Sequence, residues 1–191
     1  RRQRQMWIGA SDGGGGCLLT DDPTIEGLLT IVQAQQAAGS TTILPTLIST
    51  DVETMKRARK AVEEGLKQGV SGLAGLHLEG PFLDDVKRGA HASEFLRAPT
   101  AEDRSLLEQA SAGALLLTLS ASHATEDLCA KLHDAGVILS LGHSSASAEE
   151  ATAAFDSGVC LVTHLSNAMS PPAPRHPGLG GSALADERAT T

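Results

Sequence analysis

The sequence predicts an α/β fold built on a parallel sheet. Short β-branched or apolar runs recur along the 191 residues, stretches with helical period separate them, and three of the runs end in polar residues that an apolar core would not choose. Strands alternating with helices of roughly 10–15 residues imply βαβ units, because a parallel strand needs a long crossover.

Each element has its own signal. Asp22-Pro23 opens the first helix as N-cap and first helical position. Ile25, Leu28, Leu29 and Val32 then repeat at one-face spacing, and Gly39 stops the helix. Thr41–Leu44 and Thr46–Ile48 read as a β-branched strand, with Pro45 an irregularity near its end. Thr50 and Glu53 form a capping-box pattern. Val52, Met55, Ala58, Val62 and Leu66 line the helix that follows, and Gly69 ends it. Leu73–Leu78 is a strand, followed by a long loop rich in Gly, Pro, Asp and charge. Then come a helix near Ala101–Ala112, a strand at Ala114–Leu119, a helix near Glu126–Ala135, a strand at Val137–Leu141, a helix at Ala148–Ser157 and a strand at Val159–Thr163. The tail from Ser166 is Pro- and Gly-rich and reads as irregular.

Composition narrows the function classes. Hydrophobic residues are 41% and charged residues 20%, an ordinary globular balance. No apolar run reaches the roughly 18–20 residues of a membrane span. Arg1, Arg2 and Arg4 make a basic start with no apolar segment behind them, so no signal peptide is expected and the cytoplasm is. A net charge of −8 argues against a general nucleic-acid surface, and an anionic substrate would need a local basic site. Aromatics at 2% argue against stacking platforms. Cys17, Cys129 and Cys160 are odd in number and sit in apolar stretches, which fits buried free thiols in a reducing compartment. The Gly13–Gly16 run lacks the Lys-Ser/Thr of a phosphate loop and reads as a turn.

Parallel strands carry their polar chemistry at the carboxyl ends. Here the ends are Leu78-Glu79-Gly80, Leu141-Gly142-His143 and Val162-Thr163-His164, so Glu79, His143 and His164 are expected to converge. Two neutral imidazoles and a carboxylate, with a position left for water, form a common catalytic zinc set, and iron suits the same donors. A divalent ion there lowers the pKa of bound water towards ~7 and polarises a carbonyl. Taken singly, a histidine at a strand end is more often a structural hydrogen-bonder. Glu79 is harder to explain that way, since buried glutamate is rare without a partner. His77 shares the parity of Glu79, which places it below Glu79 in the interior or in support of a ligand. Alone, His91 reads as an exposed loop histidine and Arg175 as an exposed loop arginine; His123, His133 and His176 read as structural or surface residues.

The segments LPTLIST, GLHLEGPFL, KRGAH, LGHSSAS, THLSNAMSP and RHPG, in that order, resemble the N-acetylglucosamine-6-phosphate deacetylases of the amidohydrolase superfamily. The resemblance runs from about Asp12 to the end of the chain. It implies a partial TIM-type (β/α) barrel over residues 12–191, with about five to six βα units of the usual eight, preceded by a segment 1–11 unlike the family. By resemblance Glu79, His143 and His164 are the metal ligands, with zinc expected and iron the alternative. Ala90-His91 and Asn167-Ala168 match pairs that contact the phosphosugar. Arg175 matches the arginine that helps hold the 6-phosphate, a task that suits a bidentate guanidinium. The implied reaction is hydrolysis of N-acetylglucosamine 6-phosphate to glucosamine 6-phosphate and acetate, within amino-sugar catabolism and with a homodimer as the common assembly. Two alternatives stay open: another N-acetylated sugar phosphate as substrate, or a truncated, weakly active or inactive metal-binding homologue.

The chain also departs from the family pattern. Ala10 and Asp12 stand where the family has a polar pair, and Ala10 has no donor atom, so no second metal is expected. Ser120-Ala121-Ser122 replaces Ala-Pro-Glu, and Ser166 replaces an aromatic residue. The family's general-base aspartate lies in sequence beyond Thr191, so no catalytic residue is assigned and truncation at the C-terminus is expected.

Overall fold

A computed structural model describes residues 8–191; Arg1, Arg2 and Arg4 lie outside the described residues. The first described strand is β1 (Ile8–Ser11), and a small hairpin of β2 (Gly13–Gly14) and β3 (Cys17–Leu18) follows it. Helices and strands then alternate: α1 (Ile25–Ala37), β4 (Thr42–Ile48), α2 (Val52–Lys67), β5 (Gly75–Glu79), α3 (Ala101–Leu107), β6 (Ala114–Leu119), α4 (Glu126–Asp134), β7 (Val137–Leu141), α5 (Ala148–Asp156), β8 (Leu161–Val162) and α6 (Gly178–Ala185).

The main sheet has the order β1-β4-β5-β6-β7-β8, and every neighbouring pair is parallel. Each crossover therefore steps the same way. Right-handed crossovers of that kind keep the helices on one face and leave the other as the interior of a partial (β/α) barrel. The sheet takes in Ile8–Ser11, part of the segment 1–11 that the sequence reading expects to be unlike the family. Alternation along the strands divides the two faces. Leu76, Leu78, Leu117, Leu119, Leu139 and Leu141 join the main hydrophobic core, with Leu28 and Ile31 of α1, Met55 and Val62 of α2, and Leu128 and Leu132 of α4. Each such burial stabilises the fold by roughly 1.5–3 kcal/mol. The intervening positions His77, Glu79, Thr118 and Ser140 carry the polar groups.

Several element ends differ from the sequence reading, each for a local reason. Thr24, not Asp22, caps α1 and accepts from the Gly27 N–H at 3.2 Å, while the Thr24 hydroxyl donates to Asp22 at 2.7 Å. Asp51, not Thr50, caps α2 and accepts from the Thr54 N–H at 2.8 Å. Strand β4 runs straight through Pro45. Its partners change there: Ser11↔Pro45 is the last pair with β1 and Thr46↔His77 the first with β5, so the missing N–H falls at the changeover. Helix α3 stops at Leu107, where the buried Arg59 guanidinium donates to the carbonyls of Leu106 (2.5 Å), Gln109 (2.7 Å) and Ala110 (2.6 Å) and satisfies its orphan end. Helix α6 was not expected at all. Its Gly-rich sequence has poor helix propensity, but Leu179 and Ala183 are buried, and Ser170 Oγ accepts from the Leu179 N–H at 3.0 Å.

The long loop after β5 is fixed rather than loose. Arg97 donates to Asp103 at 2.7 Å and to the Thr50 carbonyl at 2.9 Å, which straps the loop to α3 and to the end of β4.

Candidate metal centre

Glu79 is the last residue of β5, His143 follows β7 through Gly142, and His164 follows β8 through Thr163. The structure brings the three together. Glu79 Oε1 lies 2.9 Å from His143 Nε2 and 2.9 Å from His164 Nε2, and the two Nε2 atoms are 3.1 Å apart. Tetrahedral ligands at about 2.0–2.1 Å from one ion stand roughly 3.3 Å from each other, so this spacing is near that of a formed site. His143 Nδ1 faces the Lys87 carbonyl oxygen at 2.8 Å. A carbonyl only accepts, so Nδ1 carries a proton, and Nε2 is the atom that faces Glu79 and would ligate an ion. A carboxylate and two imidazole nitrogens converging in this way are a fitting donor set for a divalent cation.

Backbone strain aims the two rings. His143 (φ 46°) and His164 (φ 36°) both occupy the left-handed region, which is costly outside glycine and concentrates at functional positions. A Cβ on Gly142 would stand 2.7 Å from Thr118 Cγ2, so only glycine lets the end of β7 approach β6 this closely. Burial pushes the Glu79 carboxyl up, but the bonds from His143 and His164 overcome it and hold the group well below the usual carboxylate range. The bond to Glu79 raises the His164 imidazole.

His91 is buried, with its ring centroid 4.4 Å from that of His143. Its Nδ1 accepts from the Ser49 N–H at 3.2 Å and lies 2.8 Å from Ser49 Oγ. A backbone N–H only donates, so a neutral ring carries its proton on Nε2. Burial, then the neighbouring His143, pushes His91 down to about 4, so the ring is neutral near pH 7. Glu79, His91 and His143 also have donor atoms within 4.8 Å of one another. That set overlaps the first, but a protonated Nε2 has no lone pair to give, and His164 is the better third ligand.

A cavity of about 400 Å³ opens beside the donors, lined by Ser11, Asp12, Thr46, His77, Glu79, Thr163 and His164. His77 lies one layer below Glu79, and burial pushes it down to about 4. A larger cleft of about 520 Å³, walled by Ala121, Ala153, Glu126, Glu150 and Asp156, lies away from this chemistry. Two of its three acids are engaged elsewhere: Glu150 caps α5 and Asp156 pairs with Arg188.

Ala90, Asn167, Ala168 and Arg175 are not in the cavity wall. Ala90 is exposed. The Asn167 N–H donates to the His164 carbonyl at 2.9 Å, and the Ala168 carbonyl accepts from Ser144 at 3.2 Å, so both belong to the turn that follows His164. Arg175 is exposed in the tight turn Ala173–His176, without an ion-pair partner among the described residues. Ser120 and Ser122 form a hydroxyl cluster on Asp84: Ser122 donates to it at 2.7 Å, and the Ser145 N–H and hydroxyl donate at 2.8 Å each. Sequence reasoning missed the burial of His91 and the roles of Ser49 and Thr163. The KRGAH motif was the only local sign for the first.

No protein-family model matches the chain. It is 39% identical over 176 residues to an N-acetylgalactosamine-6-phosphate deacetylase of Shewanella sp. (strain ANA-3), covering 92% of this chain and 45% of that protein. It is 36% identical over 160 residues to an N-acetylglucosamine-6-phosphate deacetylase of Haemophilus influenzae, covering 84% of this chain and 42% of that one. Among solved structures, the N-acetylglucosamine-6-phosphate deacetylase of Pasteurella multocida superposes with a TM-score of 0.84 at 33% identity, over 95% of this chain and 48% of its own. A mutant of the Mycobacterium smegmatis enzyme in complex with N-acetyl-D-glucosamine-6-phosphate gives 0.85 at 28% identity, over 97% and 49%. The chain thus spans about half the length of the curated relatives it matches. By sequence and by fold it is a relative of the N-acetylglucosamine- and N-acetylgalactosamine-6-phosphate deacetylases.

Proposed function

We propose that this chain supplies the metal-binding part of an amide hydrolase that removes the acetyl group from an N-acetylated amino-sugar 6-phosphate. The observation that carries the reading is the mutual approach, within 3.1 Å, of Glu79 Oε1, His143 Nε2 and His164 Nε2. Zinc is the ion these donors suit best, with iron as the alternative. When bound, it supplies Lewis-acid polarisation of the acetamide carbonyl and activation of water.

The chain's own residues do the rest. Glu79, His143 and His164 hold the ion, and Lys87 fixes the tautomer of His143. His91, its Nδ1 occupied by Ser49, aims its Nε2–H towards the acyl oxygen as an oxyanion donor. Ala90, beside it, shapes the rim. Asn167 and Ala168 engage the phosphosugar, and Arg175 takes the phosphate as a bidentate partner in an otherwise acidic protein. The three unbridged thiols Cys17, Cys129 and Cys160 suit a reducing cytoplasm. Family resemblance adds a homodimer, which light scattering tests.

The direct experiment measures acetate release from N-acetylglucosamine 6-phosphate and from N-acetylgalactosamine 6-phosphate, with Zn²⁺ and after chelation. Metal-dependent release that Glu79→Gln abolishes supports the proposal. No release from either sugar, at saturating metal, sinks it for this chain. The second reading is an ion-binding homologue with weak turnover. It is favoured by the half-length match and by the lack of a general base assignable among the described residues, help typically worth 10²–10⁴-fold. Tight Zn²⁺ binding with acetate release lower by that factor than in a full-length relative identifies it.

A further inference from the structure

Below the donor triad lies a second row of polar side chains that the proposed reaction leaves unused. His77 sits on β5 and is 1% exposed. Its Nδ1 is 3.0 Å from Thr46 Oγ1 on β4, and its Nε2 is 2.8 Å from Thr118 Oγ1 on β6. Thr118 Oγ1 is 2.7 Å from Thr163 Oγ1, which is 2.7 Å from Ser140 Oγ on β7. The row crosses four adjacent strands and reaches the residue immediately before His164. One direction of donation serves every member. Ser140 donates to Thr163, Thr163 to Thr118 and Thr118 to His77 Nε2; His77 Nδ1–H then donates to Thr46, whose hydroxyl turns to the Leu44 carbonyl at 3.4 Å.

His164 is the donor most in need of such support. Glu79 ends a strand paired on both sides, with Ile48 and Thr118 as register partners. His143 is held through Nδ1 by Lys87. His164 instead follows a strand of two residues, its side chain is 31% exposed, and its backbone is strained. What fixes the approach to it is Thr163, whose N–H donates to the Leu141 carbonyl at 2.8 Å and whose hydroxyl is the hub of the row.

We propose that His77 is a positioning residue: by bridging Thr46 and Thr118 it fixes Thr163, and through Thr163 it sets His164 Nε2 opposite Glu79 and His143. The inference rests on the metal reading above. Its test uses Co²⁺ as the probe, with affinity read by titration and coordination by the visible d–d absorption. The variants are His77→Leu, Thr118→Val (which cuts the link to Thr163 at constant shape) and His77→Gln, whose amide can still span two hydroxyls. Loss of about tenfold or more in affinity, with an altered band, is expected for the Leu and Val variants, with His77→Gln close to wild type. Wild-type affinity and spectrum in cooperatively melting His77→Leu and Thr118→Val overturn the inference. So does equal weakening in all three variants in step with their melting temperatures, which marks a structural role alone. Should His77→Leu not fold, Thr118→Val and His77→Gln decide it. If wild-type protein takes up no Co²⁺, the metal reading itself fails and this inference falls with it; uptake by wild type with unaltered variants sinks only the inference.

Discussion

Asp103 is fully buried and is held by Arg97 at 2.7 Å and by Thr100. Burial pushes its carboxyl up, but these partners overcome that and keep it below the ordinary value. Its folded-state pKa is therefore lower than the ~3.9 of an unfolded chain, so the unfolded state binds more protons across that interval. The contribution is fully present above about pH 4–5 and is lost as pH falls through the folded value. Asp103→Asn is expected to cost about 3 kcal/mol at pH 7 by stranding Arg97, and the gap from wild type should narrow below about pH 4; urea midpoints across pH check both. Of the three thiols expected to be buried only Cys129 is, and burial pushes it up to about 11; Cys17 is half-buried and Cys160 exposed, because both sit at the ends of short strands and not on a core-facing helix stripe. Cys160 should therefore react with a thiol reagent in the native protein and Cys129 only on unfolding, which peptide mass spectrometry reads out. The donors Glu79, His143 and His164 were legible because polar residues at the ends of apolar runs are conspicuous. The burial of His91 was not, because it depends on Ser49, 42 residues away, and no local pattern carries that contact.

At the level of elements, strands and helix middles followed from periodicity, while helix ends followed from bonds the pattern does not contain. Ser147 accepts from the Glu150 N–H at 3.2 Å, and the Glu150 carboxylate accepts from the Ser147 N–H at 2.8 Å, a reciprocal cap on α5. Ser147→Ala should cost about 1 kcal/mol, seen as a lower urea midpoint with Co²⁺ affinity unchanged, because α5 lies outside the sheet's polar face. Helix α1 shows the reverse situation. Asp22 is a good cap by type, but Pro23 and Thr24 shift the true start, and Asp22 instead accepts the Thr24 hydroxyl. The short α6 escaped the pattern altogether because tertiary burial of Leu179 and Ala183 outweighs its glycines.

For the whole molecule, the parallel sheet was readable from alternation, its sequential barrel-like order only from the family resemblance, and the interior polar row from neither, since it joins residues from four strands. Any ion that binds only the folded chain adds stability by mass action. At a hundredfold excess over Kd, Zn²⁺ should add about 2.7 kcal/mol. The expected calorimetric signature is a rise in Tm that depends on ion concentration and is absent in Glu79→Gln.

Among the described residues, the non-glycine positions with left-handed backbone are His143, His164, Ser166, Ala168 and Arg175. His143 follows β7, and the other four fall within residues 164–175, between β8 and α6. Each side chain there stabilises the fold less than a glycine would, by roughly 1 kcal/mol in the simplest case of Ala168. Selection for stability alone would erase these residues first. Under the proposed function, a lineage released from binding an ion and a phosphosugar would drift towards glycine or asparagine at these five positions.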